Sequence, residues 1–458
     1  MTNPLDLNLR AVVQLLKFGK ISATELIHEA LATVERDDEV INAVIGISRD
    51  RALEEAARLD RLSPEMRGPL HGVPLAHKDM FYRKGEVSSF GSKQMGANVK
   101  TQTSSLLRRL DEAGAISFAR LNMAQFAMGP TGDNPDFGRC RNPFAPDRIS
   151  GGSSSGSAAA VAARYAFAAL GSDTGGSIRL PAALCGVVGL KPTQNLMPTD
   201  GMMGLSESLD APGPIARASG DVARIMDILL GRNVYEAALD APQPVVRIGV
   251  PSSYYCDDLD GEVAASYQTA IESFIALGFE IVEVDVPDHT HFADLADVIW
   301  KPEAAALHLH TLQSAPHMIA VQARARLTQG LATSAVDYIR ARQLRSAMLA
   351  EMLDGPLRSS DVLLTPAMRI TPPLAVDVAA TGGEAMRRNL EGITAFTRPL
   401  NFLGLPGLVT PAGLASSGTP LSIQIIGRPF AEPLLLQLGH LFEEHCKHNR
   451  LRPKIGMA

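Results

Sequence analysis

Two loops rich in glycine and serine stand inside one apolar stretch of this chain, and any fold must accommodate both. Gly151-Gly-Ser-Ser-Ser-Gly-Ser157 opens an alanine-rich helix predicted over 157–163. A strand is predicted over 166–170, and the second loop, Gly171-Ser-Asp-Thr-Gly-Gly-Ser177, follows at once. Glycine lets backbone approach a ligand closely and aim successive N–H groups at one point. A single such loop reads as a flexible linker. Two of them between apolar elements read instead as a nest for an oxyanion or a phosphate. The first closes a turn-rich segment, 129–157, and so long a loop within a compact domain is usually functional.

The phosphate option finds no support. The chain has no G-x-x-x-x-G-K-[ST], and no G-x-G-x-x-G opens a helix after a strand. No G-x-S-x-G surrounds Ser177, and position 180, where a Ser-x-x-Lys pattern would need lysine, is Leu180. An oxyanion nest with a serine remains, its base supplied from elsewhere in the chain.

The rest of the sequence frames that site. With 458 residues, 46% hydrophobic and 20% charged, the chain can bury a large core. A formal charge of −6 offers no basic face, so nucleic acid is not expected as a partner. No basic and apolar leader opens the chain, and the longest apolar run, 158–170, is broken by Arg164, so a cytoplasmic protein with no membrane partner is expected. Cys140, Cys185, Cys256 and Cys446 lie far apart and read as isolated reduced thiols. Residues 5–65 read as helical, with Ser22 and Glu25 forming a capping box. Strands are predicted over 73–76, 115–119, 246–250, 280–286, 361–365 and 421–426. Helices are predicted over 105–113, from about 262, over 334–353 and over 432–445. Residues 231–245 read as a linker, and 287–333 resist assignment. Helix followed by strand is the rhythm of an α/β sandwich.

With those residues in view, the chain resembles the amidase signature family. The likeness is carried by 151–163, by Gly171-Ser-Asp-Thr-Gly-Gly-Ser-Ile-Arg-Leu-Pro-Ala182, by Cys185-Gly-Val-Val-Gly-Leu-Lys-Pro-Thr193 and by Gly72-Val-Pro-Leu-Ala-His-Lys-Asp79. Weaker matches, such as Gly213-Pro-Ile-Ala-Arg217 and Pro420-Leu-Ser-Ile-Gln-Ile-Ile-Gly427, extend it across nearly the whole chain. The resemblance implies one α/β domain over 1–458, a mixed sheet of about eleven strands sandwiched between helices. Within it, 1–65 would be a helical segment, 66–230 the signature core and about 287–333 a variable substrate-pocket region. It implies Ser177 as nucleophile, Ser153 as proton relay after a cis peptide, and Lys78 as base. The oxyanion hole would be the backbone N–H groups of Thr174, Gly175, Gly176 and Ser177. Arg179 is expected to brace the nucleophile loop through Asp173.

The implied activity is amide hydrolysis through an acyl-enzyme. Leu180 stands where members acting on glutaminyl substrates often carry Gln, and His77 and Met80 also depart from the usual pattern. Candidate pocket segments at 126–137, 202–209 and 289–331 offer Phe, Met, Leu and Trp300. Neutral, largely apolar amides are therefore expected, with anilides, aryl esters and carbamates as further substrates. Met128, Gly129 and Met203 are the candidate substrate-binding residues. No metal and no cofactor are expected, since His308 and His310 lack a recognisable third ligand. The expected partner is a small-molecule amide, with a homodimer compatible with it. The alternative is the A subunit of a tRNA-dependent glutamyl or aspartyl amidotransferase, which shares the triad and passes ammonia to a partner subunit.

Overall fold

The computed structural model describes residues 3–95, 98–379, 383–448 and 451–455. Eleven strands among these residues form one mixed sheet. They are β1 (Val44–Ile47), β2 (Pro74–Lys78), β3 (Ile116–Leu121), β4 (Ala168–Asp173), β5 (Val188–Lys191), β6 (Ala211–Ala216), β7 (Arg247–Pro251), β8 (Glu280–Val284), β9 (Val362–Pro366), β10 (Gly407–Leu414) and β11 (Pro420–Gly427). The order across the sheet is β1-β3-β2-β4-β6-β5-β10-β11-β9-β7-β8. Strand β2 runs parallel to β3 and β4, and β7 runs parallel to β8 and β9; the other pairings are antiparallel. The single α/β domain built on a mixed eleven-stranded sheet is the fold that the family resemblance implies.

The central strands β2, β4, β5, β6 and β9 are buried along their whole length. That is why they read as continuous apolar runs rather than alternating ones. The helix Ser155–Ala162 packs on β4 and is buried at all eight positions. A helix apolar all round belongs in a core, and its small alanine and glycine side chains let it lie close to the strands. At Gly156 a Cβ would meet the carbonyl of Ala43.

Several expectations needed adjustment. The segment 1–65 is helical at Leu9–Lys17, Ala23–Ile41 and Arg49–Asp60, with the Ser22–Glu25 capping box in place, but β1 interrupts it. The 231–245 stretch holds a short helix, Tyr235–Leu239. The unassigned 287–333 stretch is helical: His289–Leu307, Leu309–Ser314 and Val321–Leu331. Strands β6 and β10 escaped prediction because prolines interrupt them. Pro212 and Pro214 lie in β6, and Pro411 adjoins a break in the β10–β11 register. Proline removes a ladder donor and ordinarily argues against a central strand.

The sheet's topology sets up the site. Because β2 and β4 are parallel neighbours, their C-terminal ends emerge at one edge. Lys78 ends the first and Asp173 the second.

Candidate active site

Lys78 is fully buried and spans two hydroxyls. Its Nζ donates to Ser153 Oγ at 2.8 Å and to Ser172 Oγ at 2.8 Å. Burial brings its pKa down from 10.5 to about 7, although Asp210 and Asp173 pull it the other way. A lysine whose ammonium would be desolvated holds its proton weakly. Near neutrality a large fraction is therefore the free amine, which can accept a proton.

Ser153 follows a cis Gly152–Ser153 peptide. Gly152 is required by contact, since a Cβ there would meet the carbonyl oxygen of Gly129 at 2.5 Å. The next residue, Ser154, donates its N–H to the carbonyl of Ser177 at 3.2 Å, which ties the two glycine-serine loops together. The Ser153 and Ser177 hydroxyls share no hydrogen bond, and among the described residues Ser177 Oγ has no partner.

The loop carrying Ser177, the expected nucleophile, is anchored from beneath by Asp173. Its carboxylate accepts the N–H of Gly176 at 2.8 Å and that of Ile178 at 3.1 Å. It also pairs with the fully buried Arg179, Nη2 to Oδ1 at 3.0 Å, as expected. Arg179 in turn donates to Gln424 Oε1, the Thr397 carbonyl and Asn401 Oδ1. Burial alone would raise the Asp173 pKa, but Arg179 beside it holds the carboxyl down at about 2. Gly176 has φ +116°, and a side chain there would run into Thr397.

This anchoring divides the four expected oxyanion donors. The Gly176 N–H is committed to Asp173, whereas those of Thr174, Gly175 and Ser177 donate to no protein acceptor among the described residues. The Thr174 hydroxyl donates to Asp210 Oδ1 at 2.6 Å, which holds the loop at its other end.

An open cleft of about 650 Å³, its mouth included, leads to Ser177. Met128 and Gly129 border it, as do Gly152, Thr174, Gly175, Leu180, Leu205 and Trp300. Met203 does not; its N–H donates to the Met80 carbonyl at 2.9 Å behind the site. His77 turns away from the lysine and bonds Ser117 Oγ through Nδ1 at 2.8 Å. His308 packs against Phe126, the two rings tilted by 49° with centroids 4.5 Å apart. No group of three or more His, Cys, Asp or Glu among the described residues could hold a metal.

Sequence reasoning missed the charges on the cleft wall: Asp297, Arg326 and Arg398. Asp297 shares a helix with Trp300 and Lys301, and that i, i+3, i+4 spacing was the one available signal. The two arginines come from distant segments with no motif around them.

Comparison with known proteins shows the family. The family model described as Amidase matches residues 25–436. This chain belongs to the amidase family. The amidase signature enzyme so defined acts on carbon–nitrogen bonds. The A subunit of the glutamyl-tRNA(Gln) amidotransferase of Synechococcus sp. (strain CC9605) is 34% identical, over 99% of this chain and 99% of its own length. A crystal structure of an amidase is 34% identical with a TM-score of 0.87, covering 96% of this chain and 100% of that one. A chain solved in work on a vestigial protein complex and the origins of an s-triazine catabolic enzyme is 31% identical, also with a TM-score of 0.87, covering 96% and 98%.

The first of these relatives corrects one expectation. A small-molecule amide as partner, no nucleic acid and a homodimer do not describe proteins named as one subunit of an amidotransferase of glutamyl-tRNA(Gln). The net charge misled because it describes the chain as a whole. One subunit beside others need not itself present the basic face that a polynucleotide requires. No helix among the described residues is long and apolar enough to cross a membrane.

Proposed function

We propose that this amidase-family enzyme releases ammonia from an amide through Ser177, Ser153 and Lys78, as the A subunit of a tRNA-dependent amidotransferase. The observation that carries the chemistry is a buried, readily neutral lysine bonded to Ser153. Substrate entry turns the Ser177 hydroxyl onto Ser153, since hydrogen bonds at such sites tighten in the substrate complex. Ser177 Oγ attacks the amide carbon. Its proton goes to Ser153, whose own proton goes to the Lys78 amine. The free N–H groups of Thr174, Gly175 and Ser177 receive the oxyanion, while Asp173 keeps the loop from rearranging. Collapse breaks the C–N bond, and the nitrogen leaves with a proton returned through Ser153. Water then attacks the Ser177 ester by the same relay and frees the acid.

The assembly half of the proposal draws on relatives that match almost the full chain and are named as the A subunits of such enzymes. To test it, a tagged chain is recovered from its own cells and given glutamyl-tRNA(Gln) with an amide donor. Co-purifying subunits and conversion of the aminoacyl group are expected. Full-rate amide turnover by the isolated chain, with no conversion by any preparation, would overturn the assembly half and leave the hydrolytic half standing.

A second reading, hydrolysis of neutral apolar amides, anilides, aryl esters or carbamates, draws on Leu180, Met128 and Leu205 in the cleft wall. A higher kcat/KM for an anilide than for glutamine in the same assay would favour it.

A further inference from the structure

Residues 205–210 form a turn that brings Leu205 to the wall of the Ser177 cleft, and two carboxylates grip it. Asp210 Oδ2 accepts the N–H of Leu205 at 2.8 Å and that of Ser206 at 3.1 Å. Its Oδ1 accepts the Thr174 hydroxyl at 2.6 Å. Glu303 lies on the helix His289–Leu307, which also carries Asp297 and Trp300. Its carboxylate accepts the Ser206 hydroxyl at 2.5 Å, the Ser208 hydroxyl at 2.5 Å, the Ser208 N–H at 3.1 Å and the Tyr338 hydroxyl at 2.8 Å. Ser206 joins the two acids, its N–H on Asp210 and its hydroxyl on Glu303.

Sheet register puts Asp210 in this place. Strand β6 runs antiparallel to β4 with Ala211 opposite Asp173, so Asp210 stands beside Thr174. Lys78 ends β2 at the same edge, on the other flank of β4. The other charged and titratable groups around Lys78 are already engaged. Asp173 pairs with Arg179 at 3.0 Å, Asp79 pairs with Arg120 at 2.6 Å, and His77 is bonded to Ser117. Asp210 has no cation at contact distance among the described residues, and Lys78 is the cation whose charge acts on it. Burial raises the Asp210 pKa to about 6, while its three donors favour the anion, so it is charged at neutral pH. Burial alone would make the Lys78 amine a poor proton acceptor, and a nearby anion restores part of its affinity.

We infer that Asp210 is a positioning residue for the reaction: it fixes Thr174 at one end of the oxyanion loop and sets a negative charge beside Lys78, while Glu303 clamps the turn that carries it. This rests on the reading that Lys78 is the base for Ser177.

Fluorophosphonate labelling at Ser177 and amide turnover, each followed against pH, test the idea. In the unaltered enzyme both should rise through about 7. Asp210→Asn should lower kcat and move that rise to lower pH by about one pH unit or more. Thr174→Val removes the hydroxyl contact but no charge. It should lower kcat by about 10–10²-fold, as a misplaced group does, with KM and the position of the rise little changed. Thr174→Ser should restore most of the rate, and Glu303→Gln should leave the rise in place. An unmoved rise in Asp210→Asn overturns the inference, as does an equal displacement in Glu303→Gln or a kcat untouched by Thr174→Val. Where Asp210→Asn is unfolded or inert, Thr174→Val against Thr174→Ser decides: equal rates overturn the inference. An unaltered enzyme with no rise near 7 would sink the reading of Lys78 as base.

Discussion

At the scale of single residues, the proposed chemistry depends on one lysine that is buried yet satisfied. Lys78 meets two serine hydroxyls and no carboxylate at contact distance, so burial dominates its proton affinity. Activity should therefore rise with pH through about 7, as the ammonium gives up its proton, and level off above it. A kcat/KM profile flat from about pH 5.5 to about 8.5 would speak against Lys78 as the base. Replacing it, Lys78→Ala, should lower amide turnover by about 10²–10⁴-fold, the usual worth of general acid–base catalysis. Ester cleavage should fall less, because an alkoxide departs with less help from a proton donor. Similar losses on matched esters and amides would contradict the relay. Ser177→Ala should abolish turnover, and a fluorophosphonate should label the unaltered protein at Ser177 alone, as peptide mass mapping would read out.

Elements hold these residues in register. The Ser177 loop hangs from Asp173 at the end of β4, through the backbone N–H groups of Gly176, Ile178 and Arg179 and through the Arg179 guanidinium. Asp173→Asn would leave Arg179 charged and unpaired in the core. A cost of about 3–5 kcal/mol in unfolding free energy is expected, measurable by denaturant titration. The pH dependence has a definite sign. The folded-state pKa of Asp173 lies below its ordinary 3.8, so this contribution is present above about 3.8 and is lost as pH falls through about 2. On the cleft's outer wall, the helix carrying Arg326 lies against the helix carrying Asp297 at Gly330. A Cβ there would run into the Lys301 carbonyl, just before Pro302. Gly330→Ala should push the two helices apart, costing about 1–3 kcal/mol, and should raise KM more than it lowers kcat. Unchanged kinetics and melting temperature would show that this contact does not shape the cleft.

The whole molecule joins two halves of one sheet around the site. Lys78 and Asp173 come from the β2–β4 side, whereas Gln424 and Asn401, which hold Arg179, come from β11 and the segment before β10. The two arginines of the cleft wall come from this later part of the chain as well. The candidate site is therefore one that no fragment of the chain contains. The proposed serine–lysine relay draws on no metal, so dialysis against a chelator should leave activity intact. A loss that returns on adding a divalent ion would rule out the serine–lysine mechanism.

The sequence by itself determined the elements and groups whose signal is local. The two glycine-serine loops, the β2 lysine, the capping box at Ser22 and the alanine helix are legible because backbone freedom, side-chain size and helix capping act within a few residues. The pairing of Arg179 with Asp173 was legible for the same reason. Tertiary structure decided what depends on residues far apart in the chain. It admitted the prolines of β6 and β10 into the middle of the sheet, where burial and pairing outweighed a lost donor. It committed the Gly176 N–H to Asp173, turned His77 toward Ser117 and left Met203 outside the cleft. Above all it brought Arg326 and Arg398 to one cavity, because cleft electrostatics depend on distance through space, and no run of neighbouring residues records that.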